Sequence, residues 1–225
     1  MTSKPPSEQR REFLGSVAAA TAAVFGAAAA APAALAADQA VSAGNEFQRW
    51  LDAIPGKHRQ LYDAPEPNGG MALMWSHVFM LTAAQSFGVP ESEVGVVVAL
   101  RHAAMPLALG DAAWAKYKLG EFLKIDDPQT KTPALRNPFA NLKPGDLPLP
   151  EAAIEKLMAR NVKFVTCGMA IHHYSMRYAK AQGGDHEEIK KDWMAAVMPG
   201  IFVAPSGVLA VHGAQSRGCT YCFAG

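Results

Sequence analysis

The chain has 225 residues, of which half are hydrophobic, and its 21 basic and 20 acidic residues give a formal net charge of +1. This balance leaves no basic surface for nucleic acid or for an anionic membrane, so we expect neither as a partner. The length suits one domain with a sizeable core.

The N-terminus has the pattern of an export signal. Arg10 and Arg11 are followed by Phe13-Leu14 at the twin-arginine spacing, then by an Ala-rich, weakly apolar run and by the small-x-small sequence Ala34-Leu35-Ala36. We therefore predict a Tat signal peptide over residues 1–36 and an exported, periplasmic protein. A Tat substrate usually folds before export, which hints at a cofactor or an oligomer assembled in the cytoplasm.

Two other interpretations of this segment are weaker. A membrane anchor is disfavoured because Thr21, Gly26 and Pro32 interrupt a run that is mostly Ala. An ordinary Sec signal is disfavoured by the position of Phe13-Leu14. We thus expect no membrane attachment after cleavage.

Three basic and two acidic residues lie in the first 36, so the mature chain would keep 18 of each among 189 residues. Residues 37–56 are predicted to be an N-terminal arm, amphipathic near Phe47 and Leu51, that packs on the domain surface. Residues 57–225 then form the folded domain.

Strand and helix patterns alternate through this domain. Val94-Gly95-Val96-Val97-Val98-Ala99-Leu100 lacks polar alternation, which is typical of a strand buried on both faces of a parallel sheet. Such alternation predicts an α/β fold with right-handed crossovers, a three-layer α/β/α sandwich of flavodoxin-like type with a five-stranded, mostly parallel sheet. The predicted strands cover 58–62, 94–100, 161–167, 201–204 and 219–223, and the predicted helices cover 71–87, 111–123, 150–160, 169–182, 186–198 and 208–217.

Residues from about 125 to 150 contain too many prolines for a regular element. We interpret this stretch as a Pro-rich insertion, a long loop that could cover a cleft.

Cys167 is the candidate catalytic residue. It ends the strand Val162-Lys163-Phe164-Val165-Thr166 and precedes Gly168 and a helix. Ligands of open α/β sheets lie at such strand ends. Backbone N–H groups and the helix dipole there favour a negatively charged sulfur. The alternative is a small, buried and inert cysteine.

Cys219 and Cys222 have redox spacing, but Tyr221 and Phe223 indicate a strand. Residues three apart on a strand lie about 10 Å apart on opposite faces, beyond the roughly 7 Å that a disulfide spans. Either the segment is turned, giving a disulfide or half a metal site, or the two cysteines serve different sites. Phe223 stands where a haem-attaching histidine would be needed, and zinc would need two more ligands. We therefore predict no cofactor and no metal site.

His102, which follows the second strand, is the best accessory candidate among the seven histidines, because strand ends converge there. His77 is a weaker candidate, and of the adjacent His172 and His173 at most one points toward the sheet. Residues 63–70 lack the glycine and lysine pattern of a phosphate loop, so we interpret them as a cleft wall.

The order of these elements resembles the DsrE/DsrF-like family. The strand 161–167 with its terminal Cys167 and the sequence Val203-Ala204-Pro205-Ser206-Gly207-Val208 carry the resemblance, which covers about residue 57 to the C-terminus without the Pro-rich insertion. In that family the cysteine of the third strand often accepts sulfur as a persulfide and passes it on. The export signal, the insertion and the C-terminal cysteine pair depart from the cytoplasmic members.

The resemblance implies sulfur handling or thiol transfer through a persulfide on Cys167, with a thiol or persulfide donor or acceptor protein as partner. It also makes a homo-oligomer an expected assembly. The alternative is a non-catalytic module that binds a ligand, a metal or a partner. In either case we expect the last strand to lie beside the third and to bring Cys219 and Cys222 near Cys167, beneath the Pro-rich loop.

Overall fold

The computed structural model describes residues 33–225. Most of the predicted Tat signal therefore lies outside the described residues. Among the described helices, none combines the length and the apolarity that crossing a bilayer requires. Residues Phe47–Gly225 form one compact unit.

The elements follow in chain order. The first helix, α1 (Ala33–Asp52), leads to β1 (His58–Ala64), α2 (Met71–Phe87) and β2 (Val94–Leu100). After β2 come a 3-10 helix (His102–Ala108) and the short helices α3 (Asp111–Lys116), α4 (Leu119–Leu123) and α5 (Ile154–Ala159). The C-terminal part contains β3 (Lys163–Cys167), α6 (Gly168–Gln182), α7 (His186–Ala195), β4 (Ile201–Ala204), α8 (Gly207–Ser216) and β5 (Thr220–Phe223).

All five strands pair in parallel in the order β4-β3-β2-β1-β5, which confirms the α/β sandwich. The prediction that β5 lies beside β3 is wrong, because β5 pairs with β1 at the opposite edge of the sheet. Three strand spacings, about 14 Å, separate β3 from β5. From β1 to β4 each new strand is added on the same side of the sheet, and the chain then crosses to the other side of β1 to form β5. The reversal in the order of strand addition therefore lies between β1 and β5.

Both faces of the sheet are covered, as the uninterrupted apolar pattern of β2 predicts. Val96, Val98 and Leu100 pack in a core cluster with residues of α2 and α5. Val97 and Ala99 point the other way and join residues of α1 and α8. Phe47 and Leu51 are buried in this second cluster, so the arm contributes to the core rather than resting on the surface.

The predicted helix 111–123 is interrupted. Lys118 adopts a left-handed conformation, with φ of 44°, between α3 and α4. A similar break near Ala153 divides the predicted helix 150–160 into a 3-10 turn and α5.

The Pro-rich insertion is a packed part of the domain. Asn137 is fully buried, and its side-chain amide donates hydrogen bonds to the carbonyl oxygens of Leu107 and Leu109 at 2.8 and 2.9 Å. Phe139 and Leu147 are buried in the cluster under α2. Arg136 pairs with Asp127 and Asp146, each at 2.7 Å. The insertion is therefore fixed to the core by the Asn137 hydrogen bonds and by apolar contacts on the side of α2, and its ion pairs hold its own segments together.

Candidate functional site

A cavity of about 630 Å³ opens at the carboxyl edge of the sheet. Its walls come from the ends of β2 and β3, the first two turns of α6 and the start of α8. Open α/β sheets place their ligands at this carboxyl edge, and the volume falls in the range of small-molecule sites. The cavity lies over β2 and β3, beside rather than at the reversal between β1 and β5.

Cys167 lines this cavity as the last residue of β3. Its side chain caps α6, because Sγ accepts a hydrogen bond of 3.2 Å from the backbone N–H of Ala170. The residue is 7% exposed, so the sulfur is reached through the cavity rather than from the open surface. The N–H donor and the positive end of the 15-residue helix both stabilise negative charge at this position.

Arg101 stands next to Cys167 across the sheet. Leu100 and Thr166 are paired in the register of β2 and β3, so the residues that follow them, Arg101 and Cys167, are neighbours at the carboxyl edge. Gly207 permits this arrangement, since a Cβ atom there would lie 2.5 Å from the Cβ of Arg101. The start of α8 can thus approach Arg101 only with glycine at position 207.

A buried carboxylate holds the guanidinium of Arg101 in place. Asp63, which is 2% exposed, accepts hydrogen bonds from Nε and Nη2 of Arg101 at 2.6 and 2.9 Å. The hydroxyl of Tyr221 donates to the same carboxylate at 2.8 Å. The hydrogen bond to Asp63 is the main reason that the pKa of Arg101 is raised, and the nearby Cys167 contributes in the same direction. Burial raises the pKa of Tyr221, and its bond to Asp63 adds to this effect.

These side chains form a row across the sheet. Side chains alternate between the two faces along a strand. Leu61, Ala99 and Val165 face α8, so the residues two positions further along these strands, which are Asp63, Arg101 and Cys167, lie on the same face. Tyr221 is paired with Leu61 in the register and lies on this face as well. The row follows the order β5, β1, β2, β3. We name these four residues the edge row.

Of the four residues in the edge row, only Cys167 was predicted from the sequence as a site residue. Asp63 falls in the predicted cleft wall 63–70, and neither Arg101 nor Tyr221 was among the candidate site residues. A usable signal was present, because an acid ending β1 and a base following the adjacent buried strand β2 are expected to meet at the carboxyl edge.

His102 also lines the cavity, as predicted. It is exposed and has a left-handed backbone, with φ of 50°, and its ring lies edge-on to Tyr174 with 5.7 Å between ring centroids. The structure thus brings His102 and Cys167 into one cavity. Its accessory role stays a prediction.

The other histidine candidates are divided between the cavity and distant positions. His173 lines the cavity, whereas the adjacent His172 faces His186 of α7. Nδ1 of His77 lies 2.7 Å from Nη1 of Arg160, away from the cavity lining. The pKa of His77 is lowered, first by burial and then by this guanidinium.

Cys219 and Cys222 lie on opposite faces of the sheet, and both are free thiols. Cys219 is buried with α1 and α8, while Cys222 packs against the cluster under α2. The interpretation as a turned segment with a disulfide is wrong, and the two cysteines occupy separate environments. Neither can form a disulfide with Cys167 in this fold, because the spacing of about 14 Å between β3 and β5 exceeds the Cα limit of about 7 Å.

The interpretation of the Pro-rich insertion as a cover for the cavity is also wrong. No lining residue of the cavity comes from residues 125–150, nor from the predicted cleft wall 63–70. The cavity is closed instead by the helix starts of α6 and α8.

The chain matches no protein-family model, no curated protein and no solved structure. Fold and site define the class: a three-layer α/β/α protein whose cavity, at the carboxyl edge of a parallel sheet, is lined by a helix-capping cysteine.

Proposed function

We propose that this protein handles sulfur, with Cys167 accepting a sulfur atom as a persulfide and passing it to a second thiol. The observation that supports this proposal is the position of Sγ, which caps α6 and lines a cavity of about 630 Å³. The resemblance of residues 161–167 and 203–208 to the DsrE/DsrF-like family points to the same chemistry.

The proposed transfer needs no external oxidant. The Cys167 thiolate attacks the outer sulfur of a donor persulfide, R–S–S⁻, and a new S–S bond forms on Cys167. The S–S bond of the donor breaks, and R–S⁻ leaves with the electron pair. An acceptor thiolate then attacks the outer sulfur on Cys167, which regenerates the Cys167 thiolate.

The surroundings of Cys167 suit an anionic sulfur chain. The N–H of Ala170 and the dipole of α6 act on Sγ. Among the described residues, the hydrogen bonds of Arg101 use only Nε and Nη2, so Nη1 is available to a terminal persulfide sulfur. Asp63 and Tyr221 position Arg101 without entering the cavity lining.

This chemistry implies a partner. A thiol or persulfide protein must deliver and collect sulfur at the mouth of the cavity, where Met169 and Val208 are 41% and 66% exposed. We further propose that transfer takes place after Tat export, in the periplasm, and that the protein assembles as a homo-oligomer.

Intact-mass spectrometry tests the proposal. The purified protein is incubated with a low-molecular-weight persulfide donor, and we expect the mass of one sulfur atom to be added per chain. Cys167→Ser should abolish the adduct, whereas Cys219→Ser and Cys222→Ser should retain it. Absence of an adduct on the unmodified protein, or its persistence on Cys167→Ser, would refute the proposal.

A second candidate function follows from the same cavity. With Cys167 only 7% exposed, the domain could hold a small anionic ligand against Arg101 and leave the thiol inert. Titration of free thiols in the native state separates the two functions. A sulfur carrier shows a Cys167 that is modified without denaturant, whereas a binding module shows one that is modified only after unfolding.

A further inference from the structure

A cluster of three metal-ligand side chains lies where α6 and α7 meet, outside the lining of the cavity. His172 comes from α6, and His186 and Glu187 open α7. Each residue offers one ligand atom, and these atoms lie within 4.8 Å of one another. Buried Ile171, Ile189 and Trp193 hold the two helices together beneath the cluster.

Two polar contacts orient the ring of His186. Nε2 of His186 lies 3.3 Å from the carbonyl oxygen of His172 and is therefore the N–H donor. Its Nδ1 lies 3.4 Å from Oε1 of Glu187, so the atoms with which these two residues would bind a cation are adjacent. A histidine ligand whose second nitrogen donates to a backbone carbonyl is the usual arrangement around protein-bound metals.

The ring of His172 supplies the second observation. Its Nδ1 is buried and has no hydrogen-bond partner among the described residues. Unpaired buried polar atoms are uncommon and costly, so such an atom requires an explanation. Coordination of a cation through Nδ1 would give the atom a partner.

Glu187 is oriented from its other oxygen. Lys190 donates to Oε2 of Glu187 at 2.7 Å, which leaves Oε1 directed at His186. This lysine acts as an outer partner that fixes the carboxylate without occupying the ligand position.

We propose that His172, His186 and Glu187 bind one zinc ion, with a fourth position open to water. Two imidazoles and one carboxylate are a donor set that zinc accepts, and three protein ligands with one open position are typical of reactive rather than purely structural zinc sites. Tetrahedral zinc with ligands at 2.0–2.1 Å needs ligand atoms about 3.3 Å apart. The Glu187 side chain is 68% exposed, so it can make most of the required movement.

This site is separate from the proposed sulfur chemistry and does not depend on it. Cys167 and Arg101 line the cavity, and no residue of the zinc cluster does so. Cys167→Ser should therefore bind zinc as the unmodified protein does.

Zinc binding is measured on the untagged protein by competition with a chromophoric chelator. We expect one zinc ion per chain, and a loss of affinity for His172→Ala and His186→Ala of at least the roughly 10–100-fold that removal of an outer-shell partner causes. Glu187→Gln should weaken binding in the same direction, and its exposed position makes unfolding an improbable cause. His212→Ala, an exposed histidine on α8, is the matched control and should leave the affinity unchanged.

Three results would overturn the proposal. The first is that the unmodified protein takes up no zinc. The second is that His172→Ala and His186→Ala bind zinc as tightly as the unmodified protein. The third is that Cys167→Ser no longer binds zinc. Circular dichroism of each variant establishes that the loss of binding is not a loss of fold. With Co²⁺ in place of zinc, the visible spectrum should show the bands of a nitrogen- and oxygen-ligated tetrahedral site without sulfur-to-metal charge transfer.

Discussion

Removing one partner of the pair formed by Asp63 and Arg101 should destabilise the protein, and removal of the two partners should not be equivalent. The side chain of Asp63 is 3% exposed, whereas that of Arg101 is 25% exposed. Arg101→Met leaves a buried carboxylate with only the Tyr221 hydroxyl as a donor. Removing one partner of a buried pair costs about 3–5 kcal/mol of the free energy of unfolding.

The reverse change should cost less. Asp63→Asn leaves a guanidinium that can turn toward water, and we expect a loss of about 1–3 kcal/mol. Lys57→Met is the matched control, because its ion pair with Glu93 lies at 3.3 Å with the lysine 83% exposed. A surface pair of this kind contributes about 0–1 kcal/mol.

Urea unfolding followed by circular dichroism measures all three variants. With a slope of about 2.5 kcal/mol per molar urea, a loss of about 4 kcal/mol lowers the midpoint by about 1.6 M. The prediction fails if Arg101→Met shifts the midpoint no more than Lys57→Met does. It also fails if Asp63→Asn is the more damaging of the two changes.

Two further predictions concern the packing of α8 and the buried thiol. Gly207→Ala should destabilise the domain by about 1–3 kcal/mol, because the added methyl group meets Arg101. Gly110→Ala, where the nearest atom is 3.7 Å away, is the control in the same urea assay. Burial raises the pKa of Cys219 from 9.0 to about 11, so the unfolded chain loses this proton first as the pH rises. Unfolding free energies at pH 9 and pH 11 should show that the unmodified protein loses about 2 kcal/mol more than Cys219→Ala. Equal losses would contradict a buried neutral thiol.

Local patterns in the sequence were sufficient for most elements. The branched run from Val94 to Leu100 gave the bounds of β2 correctly, and the apolar spacing from Met71 to Phe87 did the same for α2. Ser206 caps α8, and its hydroxyl accepts a hydrogen bond from the N–H of Leu209 at 3.2 Å. These features depend on neighbours in the chain.

Features that depend on distant parts of the chain were predicted less well. The packing of α4 depends on Gly120, whose missing side chain lets Ala134 of the Pro-rich insertion approach its backbone. Asn137 holds the insertion inward through carbonyl groups about 30 residues earlier. A count of prolines predicts irregular backbone correctly and does not predict whether that backbone is buried.

The order of the strands was the main feature that was predicted wrongly. The observed order follows from the need to cover both faces of the sheet. Strands β1 to β4 advance in one direction, so right-handed crossovers place α2 to α7 on a single face. A fifth strand beside β3 or β4 would add α8 to that same face and leave the alternate residues of β2 exposed on the other. Returning to β1 moves α8 across the sheet, where Ala210 and Ala214 cover Val97 and Ala99.

The same return of the chain assembles the edge row. With β5 beside β1, Tyr221 reaches Asp63, Asp63 fixes Arg101, and Arg101 stands beside Cys167. A β5 next to β4 would leave Asp63 without the hydroxyl donor that Tyr221 supplies. The uninterrupted apolar pattern of β2 requires helices on both faces, and that requirement accounts for the position of a polar row at the carboxyl edge.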